Sequence, residues 1–438
     1  LTYNIILSFK MSGLLRRLYP TFFTDNTTKY EDDTINLMAY NTNRQPIKPV
    51  PLKVNLTISP ELIHSDDLNP IEGIYPSEIY INKDVYKNYP ELVEMSKTEK
   101  ISLDFYVKHV KNSIRKTGDY DNKKKLINPV EFRIKNTPIK FICRAAYKLA
   151  NIDYILNIME DNNNFADLCG GPGGFSEYLL YKYPHTSGLG MTLKSENPDL
   201  DWKVSNFRPE IQKNRLVITY GQNYISGPDD NVMNIGDGNI LKLINIESFR
   251  DQMLKNNPDG VKLVVADGTG FDDEDAQDLD SVEIVQFRLF VAEAFLATQI
   301  LKKGGNYVMK IFKTKYISTQ TFLILIASLF EESYIFKPIT SRLNNSERYF
   351  VGKGFKYSPS DKIYFDFFAK CLETPDIEKY SFFDPSIITQ DIKTYIYETS
   401  LENLQRQFVF CQIYQLGYSF NWRNYISLKK LWTIIFRN

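Results

Sequence analysis

Histidine, cysteine and tryptophan are scarce in this chain of 438 residues, at three, four and three copies. His64, His109 and His185 are scattered. Cys143, Cys169, Cys371 and Cys411 match neither a disulfide framework nor the CxxC spacing of a zinc site. A structural zinc and a histidine-based triad are therefore not expected, and the cysteines read as reduced thiols of an intracellular protein. No metal ligand set is expected. No run approaches the ~20 apolar residues of a membrane span, so no membrane partner is expected either. The ten residues before Met11 are expected to be upstream translated sequence, too short for a signal peptide. Net charge is also missing, with 53 basic against 53 acidic residues. A zero sum leaves a polyanionic partner open, because local patches matter more than totals.

Such a patch is present. Between about 106 and 140, Lys108, Lys111, Arg115, Lys123, Lys124, Lys125, Arg133 and Lys140 outnumber Asp119, Asp121 and Glu131. It reads either as a solvated surface loop or as a landing strip for phosphates. Before it, residues 1–95 form an irregular extension, punctuated by Pro46, Pro49, Pro51, Pro60, Pro70 and Pro76. After about 361 the chain is mainly helical, rich in aromatics and free of chemical motifs, an appendage for packing or partner binding. The segment 96–360 between them is the expected catalytic domain.

Within it, Phe141, Ala145, Leu149, Ile152, Leu156 and Met159 recur at helical spacing. A short strand follows near Phe165–Leu168, then a glycine loop, then the helix SEYLLYKY. SGLGMTL, VKLVVADG, NYVMKIF and SERYFVGKGF read as further strands, the last of them final. TFLILIASLF and the long run from Val282 read as helices, the latter stopped by Gly304 and Gly305. Alternating strands and helices predict a parallel α/β sheet with helices on both faces.

The loop Gly170-Gly171-Pro172-Gly173-Gly174 opens a helix after the first strand. Backbone N–H groups are exposed to a ligand there, with the helix N-terminus behind them. The spacing is not the G-x-G-x-x-G of dinucleotide binders, and no G-K-[ST] follows as in a Walker loop. The compact loop suits a bulky ligand of little anionic charge, and the methionyl part of S-adenosylmethionine fits. Asp237 and Asn239 in NIGDGNI, and Asp267 in VVADG, are polar groups after apolar runs, where ligands of open α/β sheets bind. Asp267 alone would equally serve as a helix N-cap. Lys148 precedes the first strand, Lys310 lies between Val308, Met309, Ile311 and Phe312, and Glu347 opens the last strand. A lysine among apolar neighbours must be paired or used.

NPVEF, RAAYKLANID, FADLCGGPGGFSEYLL, GLGMTLK, GDGNI, VVADG, VMKIF and KPITSRLNNSERYFVGKG stand in this order over roughly 100–356. Together they resemble the cap-specific mRNA 2′-O-methyltransferases, which carry an FtsJ-class domain. RAAYKLAN and KPITSR…NSERY separate that family from its ribosomal-RNA relatives. The resemblance implies a Rossmann-like, S-adenosylmethionine-dependent methyltransferase that modifies the ribose 2′-OH of the first transcribed nucleotide of capped mRNA. It puts a Lys-Asp-Lys-Glu tetrad on Lys148, Asp267, Lys310 and Glu347. The cofactor positions fall on Cys169, Gly170, Gly171, Pro172, Gly173, Gly174 and Phe175, around Asp237, Asn239 and Ile240, and on Asp267. The chain departs from the family in having Asn239 where Asp is common, and Thr269-Gly270-Phe271 in a loop one residue longer than usual.

On this basis Lys310 is expected to be the base or alkoxide stabiliser, its ammonium disfavoured by burial, Lys148 and the sulfonium and favoured by Asp267, with the balance between them open. RNA contacts are expected from the basic segment, Arg133, Arg144, Arg342 and Asn345. Partners would be the capped mRNA 5′ end and other capping or transcription proteins. The compartment would be the nucleus for a cellular enzyme, and the cytoplasm or virus particle for one from a large DNA virus. The alternatives are a ribosomal- or transfer-RNA 2′-O-methyltransferase and a catalytically inactive RNA-binding or assembly subunit. If the basic strip meets phosphates, changing Lys123, Lys124 and Lys125 to Ala lowers the salt slope of single-strand RNA binding by about 2. An unchanged slope in a salt titration would make the strip mere surface.

Overall fold

Short apolar runs, too brief for helices, assemble into one sheet. The computed structural model describes residues 49–65, 70–81, 83–116, 140–194, 200–222, 236–269, 281–338 and 340–415. The strands are β1 (Asn164–Leu168), β2 (Ser187–Met191), β3 (Leu216–Thr219), β4 (Val261–Ala266), β5 (Leu301–Ile311), β6 (Phe330–Phe336) and β7 (Arg348–Phe355). They lie side by side in the order β3-β2-β1-β4-β5-β7-β6. Pairs from β3 to β5 are parallel, but β7 runs antiparallel to both β5 and β6. The all-parallel expectation therefore fails at one strand. The reason is the connection: 337–347 contains no crossover helix, and a parallel return needs one. The sheet also holds two strands the apolar pattern does not announce. β6 carries Glu331 and Glu332 at its start, and β3 is four residues long at an edge.

Eight main helices accompany the sheet: α1 (Leu103–Arg115), α2 (Ala145–Leu156), α3 (Gly174–Lys182), α4 (Leu243–Asn256), α5 (Ser281–Ile300), α6 (Ile317–Ser328), α7 (Phe365–Glu373) and α8 (Gln390–Gln415). The stripe expected from Phe141 to Met159 is helical only over α2. Asn157, at φ 52°, stops it in a left-handed cap. Ile158 and Met159 remain buried beyond that stop. Nor do Gly304 and Gly305 end α5, which passes at Ile300 directly into β5. The two glycines lie within the strand where its register against β4 shifts, between Val261 and Leu263, as expected of glycine in an irregular strand.

Period-2 alternation divides the core. On β4, Leu263 and Val265 face α2 and α3, while Val264 and Ala266 face the α5–α6 side. Leu52, Val54 and Ile58 join the α5–α6 cluster, as do Phe368, Phe382 and Phe383 from beyond 361. A third cluster links α1 and α8 around Tyr106, Val110, Leu404 and Phe410, and takes in Leu343. Both flanking segments thus share core with the sheet domain. Phe295 of α5 is fully buried, 5.1 Å from the Phe365 ring and 5.7 Å from that of Phe368. Phe295→Ala should destabilise the chain by about 3–5 kcal/mol. A urea midpoint within error of wild type would show that α7 is not packed there.

Candidate active site

At the carboxyl edge of the sheet, four charged side chains converge from four elements. Lys148 comes from α2, Asp267 directly follows β4, Lys310 is the penultimate residue of β5, and Glu347 directly precedes β7. Glu347 accepts from Lys148 Nζ at 2.7 Å and from Ser341 Oγ at 2.5 Å. Lys310 Nζ donates to the Asp267 carbonyl at 2.7 Å and lies 3.2 Å from its Oδ1. Tyr349 Oη donates to the same Oδ1 at 2.8 Å.

Lys310 is 5% exposed and Glu347 6%. Burial alone would raise the Glu347 carboxyl, but the Lys148 and Lys310 ammoniums outweigh it and hold the group at about 2. For Lys310, burial works to lower the ammonium, and the Asp267 and Glu347 carboxylates outweigh it. Its value stands above that of an ordinary lysine. The balance left open between burial and Asp267 thus falls to the ammonium in the protein alone, because Glu347 faces Lys310 as well as Asp267. Lys148, the like charge counted against it, is itself bonded to Glu347.

Several members of this network were not singled out from the sequence. Tyr349 and Ser341 sit inside the KPITSR…NSERYF stretch. Lys337, in FKPI, has the same apolar flanks that drew attention to Lys310. It is buried, which drives it well below an ordinary lysine. Its Nζ donates to Asn345 O at 2.8 Å, Asn345 Oδ1 at 2.9 Å and Glu347 O at 2.8 Å. Glu293 is a lone acid in the apolar run FVAEAFLA. It is fully buried, accepts from Gly268 N at 3.1 Å, and is raised to about 8 by burial.

The glycine loop lies beside these groups. It is packed against its own chain, for a Cβ on Gly171 would overlap the Leu200 carbonyl, and Gly173 takes φ 113° at the start of α3. Gly170 N donates to Met191 O at 3.0 Å, tying the loop to the end of β2. Under the loop, Asp167 is fully buried and accepts from Ser176 N and Oγ at 3.1 and 2.6 Å, both on Oδ2. Its Oδ1 has no partner among the described residues. Burial, opposed by Ser176 and reinforced by Asp267, raises it to about 7. This leftover acceptor matches the ammonium of an amino acid, so the loop fits the methionyl end of S-adenosylmethionine.

Other expected contacts are placed less favourably. Phe175 and Ile240 are 2% and 3% exposed and pack into the core. The Cys169 thiol is buried against Glu293, and burial pushes it well above an ordinary thiol. Asp237 already accepts from Asn239 N at 3.1 Å, Asn245 Nδ2 at 2.8 Å and Lys242 Nζ at 2.5 Å. Asn239 Oδ1 caps Leu241 N at 3.0 Å. The turn sits beside β2 through the bond from Lys194 N to Asp237 O at 2.8 Å. Arg144 Nη2 donates to Thr340 O at 2.9 Å, and is lowered to about 10 by burial and the neighbouring Arg342. Asn345 accepts from Lys337 through its carbonyl and Oδ1, which leaves its Nδ2 as the group an RNA would meet. Arg133, Lys123, Lys124, Lys125, Gly270 and Phe271 lie outside the described residues. Among the described residues no three His, Cys, Asp or Glu side chains cluster as metal ligands.

Residues 141–355 match the model of the FtsJ-like methyltransferase family. The chain is 35% identical over 240 residues to the cap-specific mRNA (nucleoside-2′-O-)-methyltransferase 1 of Homo sapiens and to that of Mus musculus, covering 50% of this chain and 27% of each relative. The protein of that name from Dictyostelium discoideum is 34% identical over 252 residues, covering 51% of this chain and 31% of the relative. The chain spans less than a third of the length of these curated relatives.

Because the folded Glu347 carboxyl titrates at about 2, below its ordinary 4.5, its ionised form stabilises fully above that ordinary value and fades as pH falls toward 2. At neutral pH Glu347→Gln should cost about 3–5 kcal/mol, since Lys148 is left buried without its partner. The gap between wild type and variant should narrow from pH 4.5 downward. A gap that stays constant in denaturation curves over that window would contradict the pairing.

Proposed function

Residues 141–355 are an FtsJ-like methyltransferase domain, and on that premise we propose that the chain methylates the ribose 2′-OH of the first transcribed nucleotide of capped mRNA. The single observation that carries this is the buried cluster of Lys148, Glu347, Lys310 and Asp267 beside the glycine loop. The named activity of the curated relatives supports the choice of acceptor. S-adenosylmethionine, when bound, supplies a methyl group on a positive sulfonium. Asp167, through its free Oδ1, would hold the amino-acid end, and the loop from Gly170 to Gly174 would shape the space around it.

A ribose hydroxyl is a poor nucleophile and must lose its proton as it attacks. Lys310 Nζ has three N–H directions; one donates to the Asp267 carbonyl, and the ammonium is ion-paired with Asp267 Oδ1. A further direction is left for the ribose oxygen. In its resting ammonium form Lys310 donates to that oxygen and stabilises negative charge growing on it. Added positive charge beside it favours the amine, which takes the proton. Asp267 fixes the lysine's direction and is itself oriented by Tyr349. Glu347 restrains Lys148 through a direct bond and faces Lys310. Most of the rate gain is then positional. Arg144 and Arg342, side by side at the rim, would meet the phosphates of the RNA.

Lys310→Ala should retain binding of S-adenosylmethionine in calorimetry and lose methyl transfer by about a thousandfold or more. Labelled methyl should appear on capped RNA and not on its uncapped twin, mapped to the first transcribed nucleotide. Equal labelling of both would turn the assignment toward ribosomal or transfer RNA. Absence of cofactor binding would turn it toward an inactive subunit. A Lys310→Ala enzyme as fast as wild type would remove the tetrad from the mechanism.

A further inference from the structure

The loop that carries Glu347 is held from behind by a helix outside the matched domain. α8 runs past the edge of the sheet and makes a polar contact at nearly every turn from Tyr395 to Gln407. Tyr395 Oη accepts from Ile335 N in β6 at 2.9 Å, and Ser400 Oγ meets Thr314 Oγ1, just beyond β5, at 2.7 Å. Asn403 Nδ2 donates to the carbonyl of Ser346 at 3.0 Å, the residue before Glu347. One turn on, Gln407 Oε1 accepts from Lys111 of α1 at 2.9 Å. Asn403 is 4% exposed and Gln407 1%, so these are interior bonds. Leu343, from the middle of the same loop, is buried with Leu404 of α8 and Val110 of α1. Lys337 ties the loop's other side through Asn345 and Glu347.

We infer that α8 is a splint for the active site: Asn403 is a positioning residue that fixes the 340–347 loop, and through it the Glu347 carboxylate that restrains Lys148. This extends the methyl-transfer function proposed above and rests on it for its kinetic consequence. A loop of this length has no sheet or helix of its own to hold it. A displacement of about 1 Å in a catalytic group is enough to lower turnover severely. The bond from Asn403 to Ser346, with Leu343 seated between α1 and α8, removes that freedom. The helical appendage is thereby part of the catalytic apparatus, although it touches no substrate.

The test compares the full chain carrying Asn403→Leu with wild type and with Glu398→Ala, an exposed change on the same helix. Amide hydrogen exchange across 340–348 should rise about tenfold or more in Asn403→Leu, while α2 and β5 stay as in wild type. Single-turnover methyl transfer should fall about tenfold, with affinity for S-adenosylmethionine within about twofold. In a Glu347→Gln background the Asn403 change should cost about twofold or less, because both act on one carboxylate. Should the leucine variant not fold, Asn403→Ala, which adds no bulk, carries the same comparison. Unaltered exchange across the loop overturns the splint, and so does full additivity with Glu347→Gln. A wild-type chain that methylates no RNA overturns the proposed activity alone, since the exchange measurement still decides the splint.

Discussion

Everything at the candidate site depends on keeping the Lys310 ammonium out of water without neutralising it. Desolvation works against Lys310, and the facing carboxylates, Asp267 and Glu347 first among them, reverse it. A buried ion pair of this kind adds little net stability, but removing one partner is severe. The arrangement is therefore better understood as a device for holding direction than as a source of fold energy. It explains why the neighbours are bonded as they are. Ser341 and Lys148 each donate to one oxygen of Glu347, Tyr349 donates to Asp267 Oδ1 beside Lys310, and Lys337 directs its donors to the loop between them. Polar networks in a low-dielectric interior are costly when a member is left unpaired.

The glycine loop takes its meaning from the same economy of space. Its small residues admit Leu200 as well as any ligand, so compactness alone does not identify what binds. What distinguishes the loop is Asp167 beneath it, a carboxylate with one oxygen bonded and one left over. The buried charges at the other end of the site give that leftover acceptor a context, because a ligand spanning both would be cationic at one end and reactive at the other.

Much of this was legible in the sequence, for identifiable reasons. The strands β1, β2, β4, β5 and β7 announce themselves as short apolar runs bounded by glycine or acid. Lys310 was conspicuous because a lysine among Val308, Met309, Ile311 and Phe312 has nowhere to go. The four tetrad residues also carried the resemblance, and they do meet at one edge of the sheet. What was not legible depended on partners far away in the chain. β6 hides behind Glu331 and Glu332, which only a sheet neighbour explains. The end of α2 rests on one left-handed Asn157. The protonation of Lys310 could not be signed without knowing that Glu347 faces it from across the sheet. That both oxygens of Asn345 are given to Lys337 depends on a side chain the sequence does not single out.

The reversed direction of β7 has a geometric meaning of its own. A parallel strand presents its final residue at the ligand edge; an antiparallel one presents its first. Arg348 is paired with Ile311 and Tyr349 with Lys310, so the entrance to β7 stands level with the exit from β5. Turning one strand around is what lets a residue that leads into the sheet share an edge with residues that lead out of it. The segment 337–347 then works as a hinge pin between two strands fixed in register. Changes in its length must be absorbed at the reactive edge itself, which makes this short connection the least forgiving stretch of backbone in the domain.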